Sequence, residues 1–111
     1  MEIFEACEAF SSLSQETRLK VFKLLIEYGR SGVSAGRIAQ EIDIPNNTLS
    51  FHLAHMTKAG LVRSEKEGRS ITYFANTETI TALIDFLQEN CCARETSAKG
   101  KEMKCKERKK L

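Results

Sequence analysis

The apolar residues of the chain recur with helical period in five stretches and with period two in one. Ile3, Phe4, Cys7 and Phe10 predict a short first helix over residues 2–10 with one apolar stripe. A cysteine in such a stripe behaves as a small hydrophobe more readily than as a ligand. "SLSQETRLKVFKLLIEYG" predicts a second helix, with Ser14 as N-cap and Glu16 at the positive end of the dipole. Leu19, Phe22, Leu25 and Ile26 line one face, and Val21 and Leu24 widen it, which predicts a central, well-covered helix ended by Gly29 and Gly32. "SAGRIAQEIDIP" predicts a third helix capped by Ser34, with Ile38, Ala39 and Ile42 inward and a break at Pro45. In "PNNTLSFHLAHMTKAGLV", Pro45 and Asn46 open a fourth helix, Leu49, Leu53 and Met56 form its stripe, and Gly60 closes it.

The third and fourth helices, joined by a turn of a few residues, make a helix-turn-helix pattern. "LVRSEKEGRSITYFA" then alternates, with Gly68 supplying a turn, and predicts a β-hairpin in the place of a wing. Ile80, Leu83, Ile84 and Leu87 define an amphipathic fifth helix. The expected fold is mainly α with a β-hairpin wing: a winged helix-turn-helix of order α-α-α-α-β-β-α. The stripes of the first and fifth helices lie outside the helix-turn-helix core, and a C2 homodimer through these two helices would cover both.

Composition adds three constraints. With 111 residues, one domain is expected, and a chain this short gains from dimerisation. No window approaches the roughly 20 apolar residues of a membrane span, and the N-terminus, with Glu2, Glu5 and Glu8, lacks a secretory pattern. A soluble cytoplasmic protein with reduced thiols and no membrane partner is expected. Charge is unevenly placed: residues 1–90 hold 9 Lys/Arg against 12 Asp/Glu, and residues 91–111 hold 8 against 3. The division expected is a folded domain over 1–90 and a basic tail over 91–111. That tail reads as a solvated end, or as an arm adding sequence-independent affinity for a polyanion.

"LSQETRLKVFKLL", "SAGRIAQEIDIPNNTLSFHLAHMTKAGLV" and "EGRSITYFA" together resemble the ArsR/SmtB family of winged-helix metalloregulatory repressors over roughly residues 10–90. The family pattern S-x-H-L-x-x-L-x-x-A-G-L-V is met from Ser50 to Val62, with Met56 at a Leu position. The resemblance implies a dimer that binds a palindromic operator in double-stranded DNA and releases it when an inducer binds. Many arsenic sensors of the family carry a C-x-C pair before the recognition helix, where this chain has "VSAGRIAQEI". Zinc and nickel sensors use His and carboxylates of the last helix, where this chain has Asp85 and Glu89 but no His. It is similar instead to an arsenic-responsive subgroup with "NCC" after the last helix, although Cys105 lies further from the pair than the third cysteine does in that subgroup.

A recognition helix offers the major groove the side chains of its N-terminal half. Asn47, Thr48, Ser50 and Phe51 lie off the apolar stripe. Asn47 can pair with adenine, Thr48 and Ser50 can reach base edges or phosphates, and both Asn47 and Thr48 can alternatively cap the helix. His52 sits beside the stripe, as a DNA contact or as a half-buried, hydrogen-bonded structural residue; His55 is expected to be solvated or phosphate-facing. Lys66 and Arg69, around Gly68, suit phosphate or minor-groove contact, or a solvated tip, with Arg63 added to the same patch. Ser34 and Arg37 are placed to touch the DNA backbone.

The thiols carry the remaining chemistry. A trivalent arsenic centre takes three thiolates in a pyramid, and softness selects it. Cys91, Cys92 and Cys105 are the candidate ligands, with Cys7 a further possibility for the third position. Closing the loop across the 13 positions from Cys92 to Cys105 costs little, and neighbouring Arg94, Lys99, Lys101, Lys104 and Lys106 favour thiolates. DNA binding itself needs no cofactor on this reading; trivalent arsenic is the inducer. A thiol redox or persulfide switch on the same fold is the alternative. The chain has no nucleophile–base–orienter set and no glycine-rich phosphate loop, so an enzyme is not expected.

Overall fold

The computed structural model describes residues 1–96. Five α-helices surround a small sheet: α1 (Ile3–Leu13), α2 (Glu16–Tyr28), β1 (Val33–Ser34), α3 (Ala35–Ile42), α4 (Asn46–Lys58), β2 (Val62–Glu67), β3 (Ser70–Ala75) and α5 (Thr77–Gln88), with a 3-10 turn at Gly29–Ser31. The sheet has the order β1-β3-β2 and is antiparallel throughout. This is a winged helix-turn-helix. Among the described residues the hydrophobic pattern lacks β1 and the 3-10 turn, whose two and three residues are too short to show a period.

The core forms where α2, α3 and α4 pack together against the sheet. Val21, Phe22, Leu25, Ile38, Leu49, Leu53, Met56, Leu61, Val62 and Leu83 are all buried in one cluster. Burying an aliphatic or aromatic side chain of this size contributes about 1.5–3 kcal/mol. The apolar faces of the third and fourth helices point inward as their spacing predicts. On α2 the buried set is Arg18, Val21, Phe22 and Leu25, whereas Leu19 and Ile26 stay exposed. Its N-cap is Gln15, which accepts from the Arg18 N–H at 2.9 Å; Ser14, the cap expected from the sequence, instead closes α1.

Helix α1 turns a face of small residues to the core. It buries Ala6, Ala9 and Ser12, the small face that lets the helix approach α2 and α4 closely. The stripe of Ile3, Phe4, Cys7 and Phe10 faces outward, with Phe4 70% exposed. Cys7 is therefore on the surface of the single chain rather than in its core. On α5, Leu83 is buried and Ile80 and Phe86 are partly covered, while Ile84 and Leu87 are exposed. Helices α1 and α5 thus present large apolar side chains that no other described residue covers.

The C-terminal end of α4 is a Schellman motif. Gly60, at φ +81°, donates to the Thr57 carbonyl, and Leu61 donates to Met56. The Gly60 carbonyl then accepts from Asn76 Nδ2 at 3.0 Å and Thr79 Oγ1 at 2.7 Å, which fixes the start of α5 against the end of α4.

Two glycines should respond oppositely to alanine. A Cβ at Gly32, where φ is +67°, would stand 2.5 Å from the Phe74 ring and 2.6 Å from the Thr72 methyl. Gly32→Ala should lower stability by about 1–3 kcal/mol in urea unfolding. A Cβ at Gly36, inside α3, meets nothing within 4 Å, so Gly36→Ala should raise stability by about 0.4–1 kcal/mol.

Candidate nucleic-acid interface and thiol site

Helix α4 has two faces with separate tasks. Leu49, His52, Leu53 and Met56 are buried, while Asn47, Thr48, Ser50 and Phe51 are exposed. Phe51 is 66% exposed, so its ring is open to a partner. Its ring meets His52 edge to face, at a centroid distance of 5.6 Å. The turn into α4 is set by Asp43, which takes the left-handed region at φ 65° and lets Asp43 and Ile44 both donate to the Ala39 carbonyl. Pro45 then serves as N-cap without a side-chain acceptor. The side chains of Asn47 and Thr48 make no cap bond, so both hold their polar groups outward.

His52 turns inward, as the structural histidine among its two sequence readings. It is 8% exposed, and its Nδ1 lies 3.2 Å from the Arg18 guanidinium. Arginine has no acceptor, so Nδ1 must accept and the ring proton sits on Nε2. Arg18 is itself only 9% exposed, and its Nε–H donates to the Ser12 carbonyl at 2.8 Å. That carbonyl lies in the last turn of α1, where helical carbonyls lack an intrahelical donor. A cation there also meets the negative end of the helix dipole. His55 Nδ1 stands 3.1 Å from Ser12 Oγ, so α4 reaches α1 directly as well, and this half-buried residue is not simply solvated.

The other candidate DNA contacts lie on the surface. Ser34 caps α3 by accepting from the Arg37 N–H at 3.2 Å. The Arg37 side chain bonds Glu41 at 2.8 Å, and Tyr28 donates to the same carboxylate oxygen, which links α2 to α3. The Tyr28 hydroxyl, and after it Arg37, hold the Glu41 carboxyl below its usual range. The wing turns through Gly68 at φ 62° and Arg69, a two-residue hairpin loop. Lys66 and Arg69 are exposed near this tip. Alternation along β2 separates Lys66 from Glu65 and Glu67. Arg63 is engaged elsewhere: its guanidinium stacks 4.3 Å over the Phe74 ring and bonds Glu65 at 2.8 Å.

The thiol pair follows α5 directly. The helix stops at Gln88, and the chain passes through turns in which Asn90 and Cys92 adopt positive φ of 59° and 64°. This irregular backbone brings the Cys91 and Cys92 sulfurs to 3.5 Å, both exposed. They are too far apart for a disulfide and close enough to share one soft centre. Cys105 lies outside the described residues. Among the described residues no group of three or more His, Cys, Asp or Glu is gathered for a metal ion, and no helix is long and apolar enough to cross a membrane.

Known proteins match this arrangement. A helix-turn-helix domain model matches residues 13–65. An uncharacterized HTH-type transcriptional regulator of Methanocaldococcus jannaschii is 36% identical over 90 residues, covering 80% of this chain and 99% of the relative. The cadmium resistance transcriptional regulatory protein CadC of Listeria innocua is 36% identical over 76 residues, covering 68% of this chain and 62% of the relative. Among solved structures, an ArsR-like transcriptional regulator from Rhodococcus sp. RHA1 superposes with a TM-score of 0.68 at 31% identity, over 76% of each chain.

The His52 environment sets a pH dependence. Burial, then the charges of Arg18 and His55, hold its pKa below the usual histidine value. The neutral ring therefore contributes stability fully above about pH 6.5, and this contribution falls away as pH drops below that value toward the folded-state pKa. Urea unfolding between about pH 7.5 and about pH 5 should show a larger loss for the wild type than for His52→Gln. Equal pH slopes would contradict the placement of the ring.

Proposed function

Because the chain belongs to the ArsR-like winged helix-turn-helix transcriptional regulators, we propose that it is an arsenic-responsive repressor, which grips operator DNA as a homodimer and lets go when trivalent arsenic binds its C-terminal thiolates. The observation that carries this reading is the pair of exposed sulfurs 3.5 Å apart immediately after α5. The likeness to a regulator of cadmium resistance supports a soft, thiophilic effector.

On the DNA side, α4 enters the major groove with Asn47, Thr48, Ser50 and Phe51 leading. Asn47 can bond an adenine edge, and Phe51 can cover a thymine methyl. Lys66 and Arg69 on the wing, and Arg37 on α3 when it leaves Glu41, meet phosphates. Residues 1–90 are net acidic, so these local cations matter, and affinity should fall steeply with salt. On the dimer side, the outward stripes of α1 and α5 supply the apolar surface that two copies would share.

Capture of arsenic would lock the turn that carries Cys91 and Cys92 after α5. Cys91 and Cys92 supply two thiolates, and Cys105 is the proposed third. Since Ile84 and Leu87 stand one or two turns before the pair, fixing the chain there bears on the α5 face that joins the copies. A change in that face alters the separation of two recognition helices that must lie about 34 Å apart. The coupling needed is about 1–3 kcal/mol.

Fluorescence anisotropy tests both halves, using a labelled duplex that the protein selects from a randomised library. Arsenite should release the wild type, while Cys91→Ser and Cys92→Ser proteins stay bound. Release of both variants by arsenite would refute the thiol site; release of the wild type by peroxide or persulfide but not arsenite would make it a redox switch. In the same assay Ser50→Ala or Asn47→Ala should cost about 1–3 kcal/mol of affinity for the selected duplex. Lys66→Ala and Arg69→Ala should each lower the slope of log affinity against log salt by about 1.

A further inference from the structure

Three of the helices meet at one buried cation. Arg18 of α2 uses two separate nitrogens of one planar fork: Nε on the last turn of α1, through the Ser12 carbonyl at 2.8 Å, and Nη1 on α4, through His52 Nδ1 at 3.2 Å. His55, one turn further along α4, returns to α1 through Ser12 Oγ at 3.1 Å. Ser12 is fully buried, and every buried side-chain polar atom among the described residues has a partner. Among the described residues no carboxylate pairs with Arg18. The charge of Arg18 is met by the carbonyl end of one helix and an imidazole of another, so its orientation is dictated by both.

The placement of these contacts gives them a consequence for DNA reading. His52 directly follows Ser50 and Phe51, which lie on the exposed face of α4. Ser12 belongs to α1, whose opposite face carries the exposed apolar stripe. One residue therefore ties the outward-reading helix to a helix that presents surface for a second copy. We infer that Arg18 is a positioning residue for DNA recognition: its fork sets the angle of α4 relative to α1, and so the separation of the two reading heads in a dimer. The inference rests on the proposed reading of this protein as a dimeric operator binder. Arg18 touches no DNA itself, since it is buried behind α4.

Lysine cannot replace it. An ammonium is a single nitrogen on a flexible stem and does not present two donors in fixed directions. Asparagine in place of His52 keeps an acceptor near the position of Nδ1, whereas leucine does not.

The test compares wild type, Arg18→Lys, Arg18→Met, His52→Asn and His52→Leu on three duplexes: the selected one, the same with its half-sites moved one base pair apart, and an unrelated sequence. Circular dichroism at the assay temperature fixes the folded fraction of each, and affinity is expressed per folded dimer. Arg18→Lys and Arg18→Met should bind the selected duplex about tenfold more weakly and lose most of the wild type's preference for the original spacing. Their salt slopes should match wild type, because no phosphate contact is lost. His52→Asn should stay nearer to wild type than His52→Leu. Arg18 variants that are less stable but keep wild-type affinity and spacing preference per folded dimer would reduce Arg18 to a stabilising residue and overturn the inference. A lowered salt slope would overturn it too, by making Arg18 a phosphate contact. A wild type without preference for any duplex would instead remove the operator-binding premise.

Discussion

The recognition helix can serve DNA only because its other side is held. At 3.6 residues per turn, a 13-residue α4 has room for one buried face and one free face. Leu49, Leu53 and Met56 occupy the first and fix the helix on the core. That leaves Asn47, Thr48, Ser50 and Phe51 to project together. The apolar contact fixes depth and register, but greasy packing alone tolerates small rotations. Directional bonds are better suited to set the angle, and the Arg18–His52 contact supplies them from the same buried face. The wing follows from the same constraint, since the Schellman turn at Gly60 ends α4 and delivers the chain into β2.

Much of this was legible in the sequence, and the failures have physical causes. Period-3.6 spacing located five helices, and alternation located the hairpin. Period alone does not say whether a stripe meets its own chain or another. On α1, two faces were available, one of Ile3, Phe4, Cys7 and Phe10 and one of Ala6, Ala9 and Ser12. The fold buries the small face because close helix approach needs small residues, and this sends the bulky face outward. The expected dimer contact uses that outward stripe, and Cys7 lies on the same exposed face. Gln15 rather than Ser14 caps α2, because α1 runs on to Leu13 and takes Ser14 for its own end.

The candidate interface residues were read with similar asymmetry. Asn47, Thr48, Ser50 and Phe51 stand out as free because they interrupt an apolar stripe. His52 could not be assigned from spacing, since a residue 60° from the stripe lies at its border; its fate depends on Arg18, which is 34 positions away. No local signal announces a buried arginine. The nearest hint is its position one residue after Thr17, inside a helix face otherwise apolar. The thiol pair was plain in the sequence, but its geometry was not: the positive φ of Asn90 and Cys92 turns adjacent side chains toward each other. Cys105 lies beyond residue 96, the last described.

The central claim is that two copies of α4 read one face of a duplex from fixed positions. Hydroxyl-radical footprinting on the selected duplex measures this directly. The account predicts two protected patches related by a twofold axis, centred about one helical turn, 10–10.5 base pairs, apart. A single patch, or protection without that symmetry, would contradict it.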